Sequence, residues 1–229
     1  MRFSGKSCLI TGAAGNLGRA VAQAFAAEGA SLILMDHAEE HLRSAYGAEA
    51  DGRRFAIADL REAPSVARAL SATRVDILCN IAGGFRMGQP VHETSDETWD
   101  LMLGLNARSV INCARAVVPG MLAAGGGKII NVGAIAALSG KANMAAYIAS
   151  KSAVIRITES MAAELREKGI NVNCILPSTI DTPQNRKDMP KADPKRWVAP
   201  EALAEVVLFL ASDAARAIHG ASIPVAGLA

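Results

Sequence analysis

The sequence predicts one α/β domain in which a doubly wound, seven-stranded parallel sheet carries helices on both faces. Hydrophobic residues make up 51% of the 229 residues and aromatic residues only 4%, so small aliphatic side chains must build the core. That composition is typical of thin buried strands covered by helices. Short apolar runs alternate with longer stretches of helical spacing, which indicates right-handed βαβ crossovers. No Pro/Gly/Ser-rich linker breaks the pattern, so residues 1–229 are interpreted as a single domain.

Seven short apolar runs bounded by turn residues are predicted to be buried strands. They cover residues 8–11, 31–35, 53–58, 75–79, 128–132, 171–175 and 222–225. Helices are predicted between them at 17–28, 39–46, 64–72, 145–168 and 200–212, with a pair of helices within 96–124. Ligands of such sheets bind outside the carboxyl ends of the strands, so functional residues are expected just after each strand.

Charge and composition argue against several classes of partner. The net charge of +2 indicates neither a nucleic acid nor an anionic membrane. The chain start lacks the apolar stretch of a signal peptide, and no window reaches the roughly 18 apolar residues of a membrane span, so a cytoplasmic protein is expected. The four cysteines and four histidines form no metal-binding spacing, so no metal site is predicted and the cysteines are expected to be reduced core thiols.

A glycine-rich turn, Thr11-Gly12-Ala13-Ala14-Gly15-Asn16-Leu17-Gly18, follows the first strand and opens the first helix. Glycine permits a tight turn and close approach of the backbone to a pyrophosphate, and a helix N-terminus presents free N–H groups to phosphate. A plain strand-to-helix joint is the alternative, which the βαβ context disfavours. The sequence therefore predicts a Rossmann-type dinucleotide site that includes Gly12, Gly15, Asn16, Leu17 and Gly18.

Asp36 follows the second strand, where a carboxylate would accept hydrogen bonds from the adenosine ribose hydroxyls and repel a 2′-phosphate. This favours NAD(H) over NADP(H). The alternative is a solvated loop carboxylate, and Arg43 is a nearby cation that would weaken the argument if it folded back.

Two further strand ends carry weaker candidates for the adenosine half of the cofactor. Asp59 and Leu60 follow the third strand and could contact the adenine amino group. Asn80, Ala82 and Gly83 follow the fourth strand and could flank the adenine ribose.

Tyr147 and Lys151 stand four residues apart in a predicted helix and therefore share one face. A cation beside Tyr147 would stabilise its phenolate and lower its pKa, which would prepare it to exchange a proton with substrate. Taken alone, the pair could equally be an ordinary surface contact.

Together these motifs resemble the short-chain dehydrogenase/reductase family over essentially the whole chain. They include the glycine turn, Asn80-x-Ala82-Gly83, Asn106, Tyr147-x-x-x-Lys151 and Pro177-x-x-Ile180-x-Thr182. The resemblance implies an enzyme that passes hydride between nicotinamide and a substrate carbon. It also implies a homodimer or homotetramer formed through the helices at 106–124 and 145–168.

The resemblance assigns roles residue by residue. It makes Tyr147 the general acid/base and has Lys151 bind the nicotinamide ribose and tune the tyrosine. Asn106 would hold a water of the proton relay. The nicotinamide carboxamide would be positioned by Pro177, Ile180 and Thr182.

The chain departs from the family pattern at the substrate-polarising serine, because Ala134 occupies that position. Ser139 lies beyond the expected strand end and is the less favoured substitute. The second glycine also comes one position early, at Gly15. Dihydropteridine reductase, which reduces a quinonoid C=N system with NADH, lacks the serine too, and stretches such as Ala82-Gly83-Gly84-Phe85 resemble that branch.

The missing serine bears on the substrate. Losing one donor to a developing oxyanion typically costs about 10²–10³ in rate, whereas a quinonoid or iminium acceptor mainly needs a proton. Ala134 therefore favours a conjugated acceptor, with a slower carbonyl or alcohol enzyme, or dihydropteridine reductase itself, left open. A non-catalytic dinucleotide-binding sensor or scaffold is the alternative of another class, which the joint presence of Tyr147, Lys151 and Asn106 disfavours.

A basic segment at about 179–198 is expected to be a substrate lid. Its cations are interpreted mainly as a solvated face, with recognition of an anionic substrate or of the cofactor pyrophosphate by one or two of them as the alternative. Phe85 and Trp197 are expected to serve packing more than substrate stacking.

Overall fold

The computed structural model describes residues 1–228 and contains one seven-stranded sheet in which all neighbouring strands are parallel. The strand order is β3-β2-β1-β4-β5-β6-β7. The strands are β1 (Ser7–Thr11), β2 (Ser31–Asp36), β3 (Arg53–Ile57), β4 (Ile77–Asn80), β5 (Gly127–Val132), β6 (Ile170–Pro177) and β7 (Ser222–Val225). The predicted Rossmann-type architecture is confirmed.

Eight α-helices are present within residues 1–228. They are α1 (Asn16–Ala27), α2 (Glu39–Tyr46), α3 (Ala63–Ala69), α4 (Asp96–Leu103), α5 (Ser109–Ala123), α6 (Ala145–Leu165), α7 (Pro183–Asp188) and α8 (Pro200–Ala211). None of the helices in this range has the length and apolar character that crossing a bilayer requires.

Two apolar layers sandwich the sheet, because successive side chains of a strand point to opposite faces. Cys8 and Ile10 of β1 pack in the layer that contains α1, α2 and α8. Leu9, between them, packs in the layer that contains α3, α5 and α6. The glycine turn, Asp36 and residues 82–83 lie together at the carboxyl ends of the strands.

Most element boundaries differ from the sequence prediction by one to three residues. The fourth strand begins at Ile77 rather than at residue 75, because the Asp76 carboxylate accepts a 2.9 Å hydrogen bond from the Ser7 amide at the sheet margin. The predicted helix pair is α4 and α5 joined by a π-helical turn, Gly104–Arg108. Helix α7 was not predicted, although Thr182 caps it and Pro183 opens it, a combination that the sequence does contain.

All four cysteines are buried free thiols. Cys8 and Cys79 lie in neighbouring strands, and their sulfur atoms are 4.0 Å apart. Their separation along the chain hides this contact from the sequence.

Candidate active site

The glycine turn is shaped so that side chains are excluded at two of its positions. Gly12 has φ +62°, and a Cβ there would lie 2.8 Å from the Ala82 Cα. A Cβ at Gly18 would overlap the Gly12 carbonyl oxygen. Helix α1 then begins at Asn16 without a side-chain cap, so its first N–H groups are available to an anion.

A cleft of about 670 Å³ opens at the carboxyl edge of the sheet above this turn. It is lined by Gly12, residues 14–19, Asp36, His37, His41, residues 44–45, residues 81–83 and Thr182. The predicted residues Gly15, Asn16, Leu17, Gly18, Ala82 and Gly83 are thus brought to one cavity. Its size and its backbone-rich floor fit an extended ligand that carries phosphate.

Asp36 ends β2 at the wall of the cleft and is 8% exposed. One carboxylate oxygen accepts a 3.2 Å hydrogen bond from the Ala14 amide, and the other accepts a 2.9 Å bond from the His37 amide. Arg43 pairs with Glu39 at 2.6 Å and does not fold back on Asp36. The carboxylate is therefore fixed in place by the backbone, and Arg43 is held by Glu39 instead.

Three other predicted contacts lie outside the residues that line the cleft. The Asp59 carboxylate makes two bonds to the Arg61 guanidinium, at 3.0 and 2.7 Å, and this pairing holds its pKa below the usual range. Leu60 packs against the apolar layer of α3 and α5. The Asn80 amide is buried and donates a 2.8 Å bond to Asn131. The Asp59 and Asn80 side chains are therefore engaged by other protein groups in the protein without cofactor.

Tyr147 and Lys151 lie on α6 beside the far end of the cleft. The Lys151 ammonium is buried and donates a 2.8 Å hydrogen bond to the Val132 carbonyl at the end of β5, and burial lowers its pKa to about 8. Burial also raises the pKa of the half-buried Tyr147 to about 12. The expected lowering of the tyrosine pKa by Lys151 is therefore wrong for the protein alone, because desolvation of the phenol dominates.

Asn106 connects this pair to the cleft. It lies in the π-helical turn, where its amide oxygen accepts a 2.8 Å bond from the Gly84 N–H. Its amide nitrogen donates to the Gly84 carbonyl at 3.1 Å and to the Ser150 hydroxyl at 2.8 Å. A Cβ at Gly83 would lie 2.7 Å from the Asn106 amide oxygen and 3.1 Å from the Lys151 ammonium nitrogen. Gly83 is thus the point at which the cleft and the Tyr147–Lys151 pair meet.

Ala134 is 5% exposed and precedes a short 3₁₀ helix, Ile135–Leu138. Ser139, the possible substitute, is exposed at the end of that helix. The Phe85 ring instead meets the Tyr147 ring edge to face, with centroids 4.8 Å apart and planes at 81°, and is 49% exposed. Sequence reasoning treated Phe85 as packing, although its place directly after Ala82-Gly83-Gly84 was a signal that it belongs to the site.

The segment after β6 borders the cleft through Thr182. Pro177 ends β6, Ile180 packs on the apolar layer of α1, and Thr182 reaches the cleft while its hydroxyl caps α7. The Arg186 guanidinium donates to both oxygens of the Asp181 carboxylate, at 2.6 and 2.7 Å. This arginine is therefore engaged within the predicted lid.

Sequence comparison places this geometry in a known family. The family model described as short chain dehydrogenase matches residues 6–193. The chain is 36% identical to D-threitol dehydrogenase of Mycolicibacterium smegmatis, with 99% of this chain and 93% of that protein aligned. It is 35% identical to the 3-oxoacyl-[acyl-carrier-protein] reductase of Thermotoga maritima, over 99% and 98% of the two chains.

The chain belongs to the short-chain dehydrogenase family. Solved structures agree with this assignment. An NAD⁺-bound xylitol dehydrogenase superposes with a TM-score of 0.89 at 28% identity, covering 99% of this chain and 100% of the other. A gluconate 5-dehydrogenase from Burkholderia cenocepacia, in complex with NADP and tartrate, gives 0.90 at 29% identity over 99% and 95%. As a short-chain dehydrogenase the chain is an oxidoreductase with a nicotinamide dinucleotide cofactor, and these relatives do not single out the dihydropteridine reductase-like branch.

A larger cavity, of about 750 Å³, lies at the amino ends of the strands. Lys6, Lys128 and Phe209 are among the residues that line it, and it includes none of the residues predicted for catalysis or cofactor binding. The glycine turn lies in the smaller, carboxyl-edge cleft, where Gly83 of the lining is next to Lys151.

Proposed function

We propose that this chain is an NAD(H)-dependent reductase or dehydrogenase in which Tyr147 exchanges a proton with the substrate. One observation carries the proposal. Gly83 both lines the glycine-floored cleft and lies against Asn106 and Lys151. A dinucleotide whose pyrophosphate rests on α1 can therefore extend past Gly83 to the Tyr147–Lys151 pair. A bound nicotinamide supplies or accepts the hydride.

The acid–base roles follow from burial. A phenol with a pKa of about 12 keeps its proton at neutral pH, so Tyr147 is set to donate that proton to a reduced product. The buried Lys151 ammonium brings positive charge and hydrogen-bond donors next to the position proposed for the nicotinamide ribose. Asn106 acts as a positioning residue, because its side chain ties Gly84 to Ser150 on α6.

The choice of NAD(H) over NADP(H) rests on Asp36. Its carboxylate is held by two backbone amides and would face the adenosine ribose, where it would repel a 2′-phosphate. One related structure holds NAD⁺ and another holds NADP, so the proposal for NAD(H) is supported by the chemistry of Asp36 alone. Comparing kcat/KM for NADH and NADPH tests it, and equal use of the two would remove this role from Asp36.

For the substrate we propose a planar, conjugated acceptor such as a quinonoid or iminium ring. Ala134 offers no hydroxyl to a developing oxyanion, so the site lacks a side-chain donor that reduction of a simple ketone would use. The half-exposed Phe85 ring presents an apolar surface beside Tyr147 on which a flat ring could pack. Dihydropteridine reduction is one reaction of this class.

A second candidate is a small alcohol or ketone. Relatives named for threitol, meso-2,3-butanediol and 3-oxoacyl substrates match the chain over nearly its full length and support this reading. A screen of the purified protein with NADH against quinonoid dihydropterin, quinones, diketones and aldehydes separates the two candidates.

The lid and the quaternary structure are also proposals. We assign residues 179–198 as a lid because Thr182 borders the cleft. Assembly into a dimer or tetramer through α5 and α6 is supported by the exposed Ile111 and Leu122 of α5, and analytical ultracentrifugation measures it.

Tyr147→Phe tests the proposal itself. The change removes the proton donor and keeps the ring, so turnover on the best substrate should fall by about 10²-fold or more while NADH still binds. Tyr46→Phe is a matched control, because the Tyr46 hydroxyl donates to the Ala13 carbonyl of the glycine turn at 2.6 Å. It should alter KM for NADH and spare the saturated rate. Near-normal turnover in Tyr147→Phe would show that the proton comes from another group.

A further inference from the structure

Three metal-binding atoms converge at the wall of the cleft where β2 leads into α2. The Nδ1 atom of His37 lies 2.9 Å from the Asp36 Oδ1 atom, and the Nδ1 atom of His41 lies 3.5 Å from it. All three atoms lie within 4.8 Å of one another. The two imidazole rings meet edge to face, with centroids 4.6 Å apart.

The fold brings a third possible metal ligand next to His37 and His41, which the histidine spacing alone does not show. The four histidines form no metal-binding spacing along the sequence, so the sequence predicts no metal site. The structure adds Asp36 from the end of β2, and both imidazoles direct a ring nitrogen at its carboxylate.

The chemistry of the three groups indicates the kind of ion. Imidazole nitrogens suit Zn²⁺, Co²⁺, Ni²⁺ and Cu²⁺, whereas Mg²⁺ and Ca²⁺ prefer all-oxygen sites. Asp36 is a preformed ligand, because the Ala14 and His37 amides hold its two oxygens. The histidine side chains are 70% and 50% exposed, so they can adjust to an ion and leave positions open for water.

We propose that Asp36, His37 and His41 bind a divalent transition-metal ion, with Zn²⁺ as the representative, and that the bound ion excludes the dinucleotide. The exclusion rests on the proposed function, in which the Asp36 carboxylate accepts the adenosine ribose hydroxyls. Coordination takes up a lone pair of the Asp36 carboxylate and neutralises charge that would attract the ribose hydroxyls, and the ion with its waters occupies the same corner of the cleft. The metal would therefore inhibit by competing with NADH.

Metal binding is tested first and without cofactor, on protein that carries no affinity tag. Zn²⁺ is titrated by calorimetry, and Co²⁺ is titrated by its visible absorption, which reports coordination directly. We expect one ion per chain. His37→Ala and His41→Ala should each weaken binding by about tenfold or more, since losing even an outer-shell partner commonly has that effect. Both residues are exposed, and circular dichroism checks that the variants fold.

His92→Ala is the matched control. His92 is exposed and lies beside a carboxylate, Glu93, at 3.5 Å, but outside the cleft. Its removal should leave the stoichiometry and the affinity unchanged. The metal site is overturned if the wild type binds no ion. It is also overturned if the double variant that lacks His37 and His41 binds the ion as tightly as the wild type does.

Competition is tested second, by NADH fluorescence titration at rising Zn²⁺. The apparent dissociation constant of NADH should rise with Zn²⁺ in the wild type, and the same rise in His41→Ala should need about tenfold more Zn²⁺ or higher. If NADH binds well and no metal binds, the metal site fails and the proposed function stands. If metal binds and NADH affinity does not change, the exclusion fails, together with the placement of the adenosine ribose at Asp36.

Discussion

Burial sets the acid–base chemistry of single residues at this site, and it acts oppositely on Tyr147 and Lys151. Desolvation disfavours the charged form of each group, so it raises the pKa of the phenol to about 12 and lowers that of the ammonium to about 8. The phenol therefore keeps its proton at neutral pH, while the ammonium is close to losing its own. Raising the pH by about one unit above neutrality should change the protonation of Lys151 and leave that of Tyr147 unaffected.

NADH binding should follow the protonation of Lys151. The ammonium is charged below pH 8 and neutral above it, so NADH affinity is expected to be flat to about pH 7.5 and to fall as the pH passes 8. Fluorescence titration from pH 6.5 to 9.5 measures this. Lys151→Arg keeps its charge across the range and should give a flat profile whatever its absolute affinity. If the affinity for NADH falls with pH in the same way in the wild type and in Lys151→Arg, Lys151 is not the group that causes the fall.

Ala134→Ser distinguishes the two substrate classes. A new hydroxyl near a developing oxyanion should raise reduction of simple ketones, by up to roughly 10²-fold. It should give no gain on a quinonoid or iminium acceptor, whose nitrogen takes the proton. Steady-state rates of both proteins on a diketone and on quinonoid dihydropterin provide the comparison. Fast ketone reduction by the wild type, unchanged in the variant, would mean that another donor completes the site.

At the residue scale, sequence predicted the types of functional group but not all of their hydrogen-bond partners. Asp36, Tyr147 and Lys151 could be identified because spacing after strands and along a helix fixes where such side chains lie. The pairing of Asn80 with Asn131 and of Asp59 with Arg61 could not, because an amide or carboxylate binds whichever donor the tertiary fold brings near. The His37–Asp36–His41 cluster escaped notice for the same reason.

At the scale of elements, the glycine turn and α1 depend on a single close contact. A methyl group at Gly18 would overlap the Gly12 carbonyl oxygen, so the turn and the helix could no longer approach. This close packing of the turn on α1 directs the first N–H groups of α1 to the cleft, so a larger residue at position 18 would disturb them.

Gly18→Ala should therefore weaken NADH binding by tenfold or more and destabilise the fold by about 1–3 kcal/mol, the usual cost of overpacking. Gly120→Ala is the control, because Gly120 lies within α5 and a Cβ there meets nothing within 4 Å. That change should stabilise the protein by about 0.5–1 kcal/mol. Denaturant unfolding and NADH titration measure both effects, and equal behaviour of the two variants would rule out the contact as the cause.

Secondary-structure elements were predicted correctly from the sequence where residues within or next to the element determine its ends. Helix α2 begins and ends where the sequence predicts, since its apolar positions and the following Gly47 are local signals. The π-helical turn between α4 and α5 has no such signature, and its geometry is tied to contacts such as that of Asn106 with Gly84. Strand β4 begins late because Asp76 bonds to Ser7, a partner that only the assembled sheet provides.

At the scale of the whole molecule, stability should fall steeply in alkali. Burial raises the pKa of Cys113 to about 12 and of Cys174 to about 11, and it raises that of Cys8 as well. Above pH 9 the unfolded chain releases these protons and the folded chain keeps them, so stability falls as pH rises. Each thiol contributes a loss of about 1.4 kcal/mol per pH unit until its folded pKa is reached.

Lys151 opposes this trend. Between pH 8 and the pKa of this lysine in the unfolded chain, the unfolded chain still holds the proton that the folded chain has lost, so this group makes stability rise with pH. The thiols outnumber it, so the free energy of unfolding should drop by at least about 3 kcal/mol between pH 9 and pH 11. Urea unfolding at several pH values measures this. Cys113→Ala should lose about 2 kcal/mol less over the same interval, and an identical pH slope would show that this thiol does not contribute.

The residues that complete the cleft above the glycine turn come from distant parts of the chain. The cleft can therefore form only late during synthesis on the ribosome. Gly12 lies against Ala82, and Thr182 borders the same cleft. At a synthesis rate of about 5–20 residues per second, roughly 10–30 s separate the emergence of the first and last of these residues. A nascent chain that has paired β1, β2 and β3 has a glycine turn but no pocket. Cofactor therefore cannot stabilise the nascent chain until most of it has been translated, and the first half of the sheet must persist without that help.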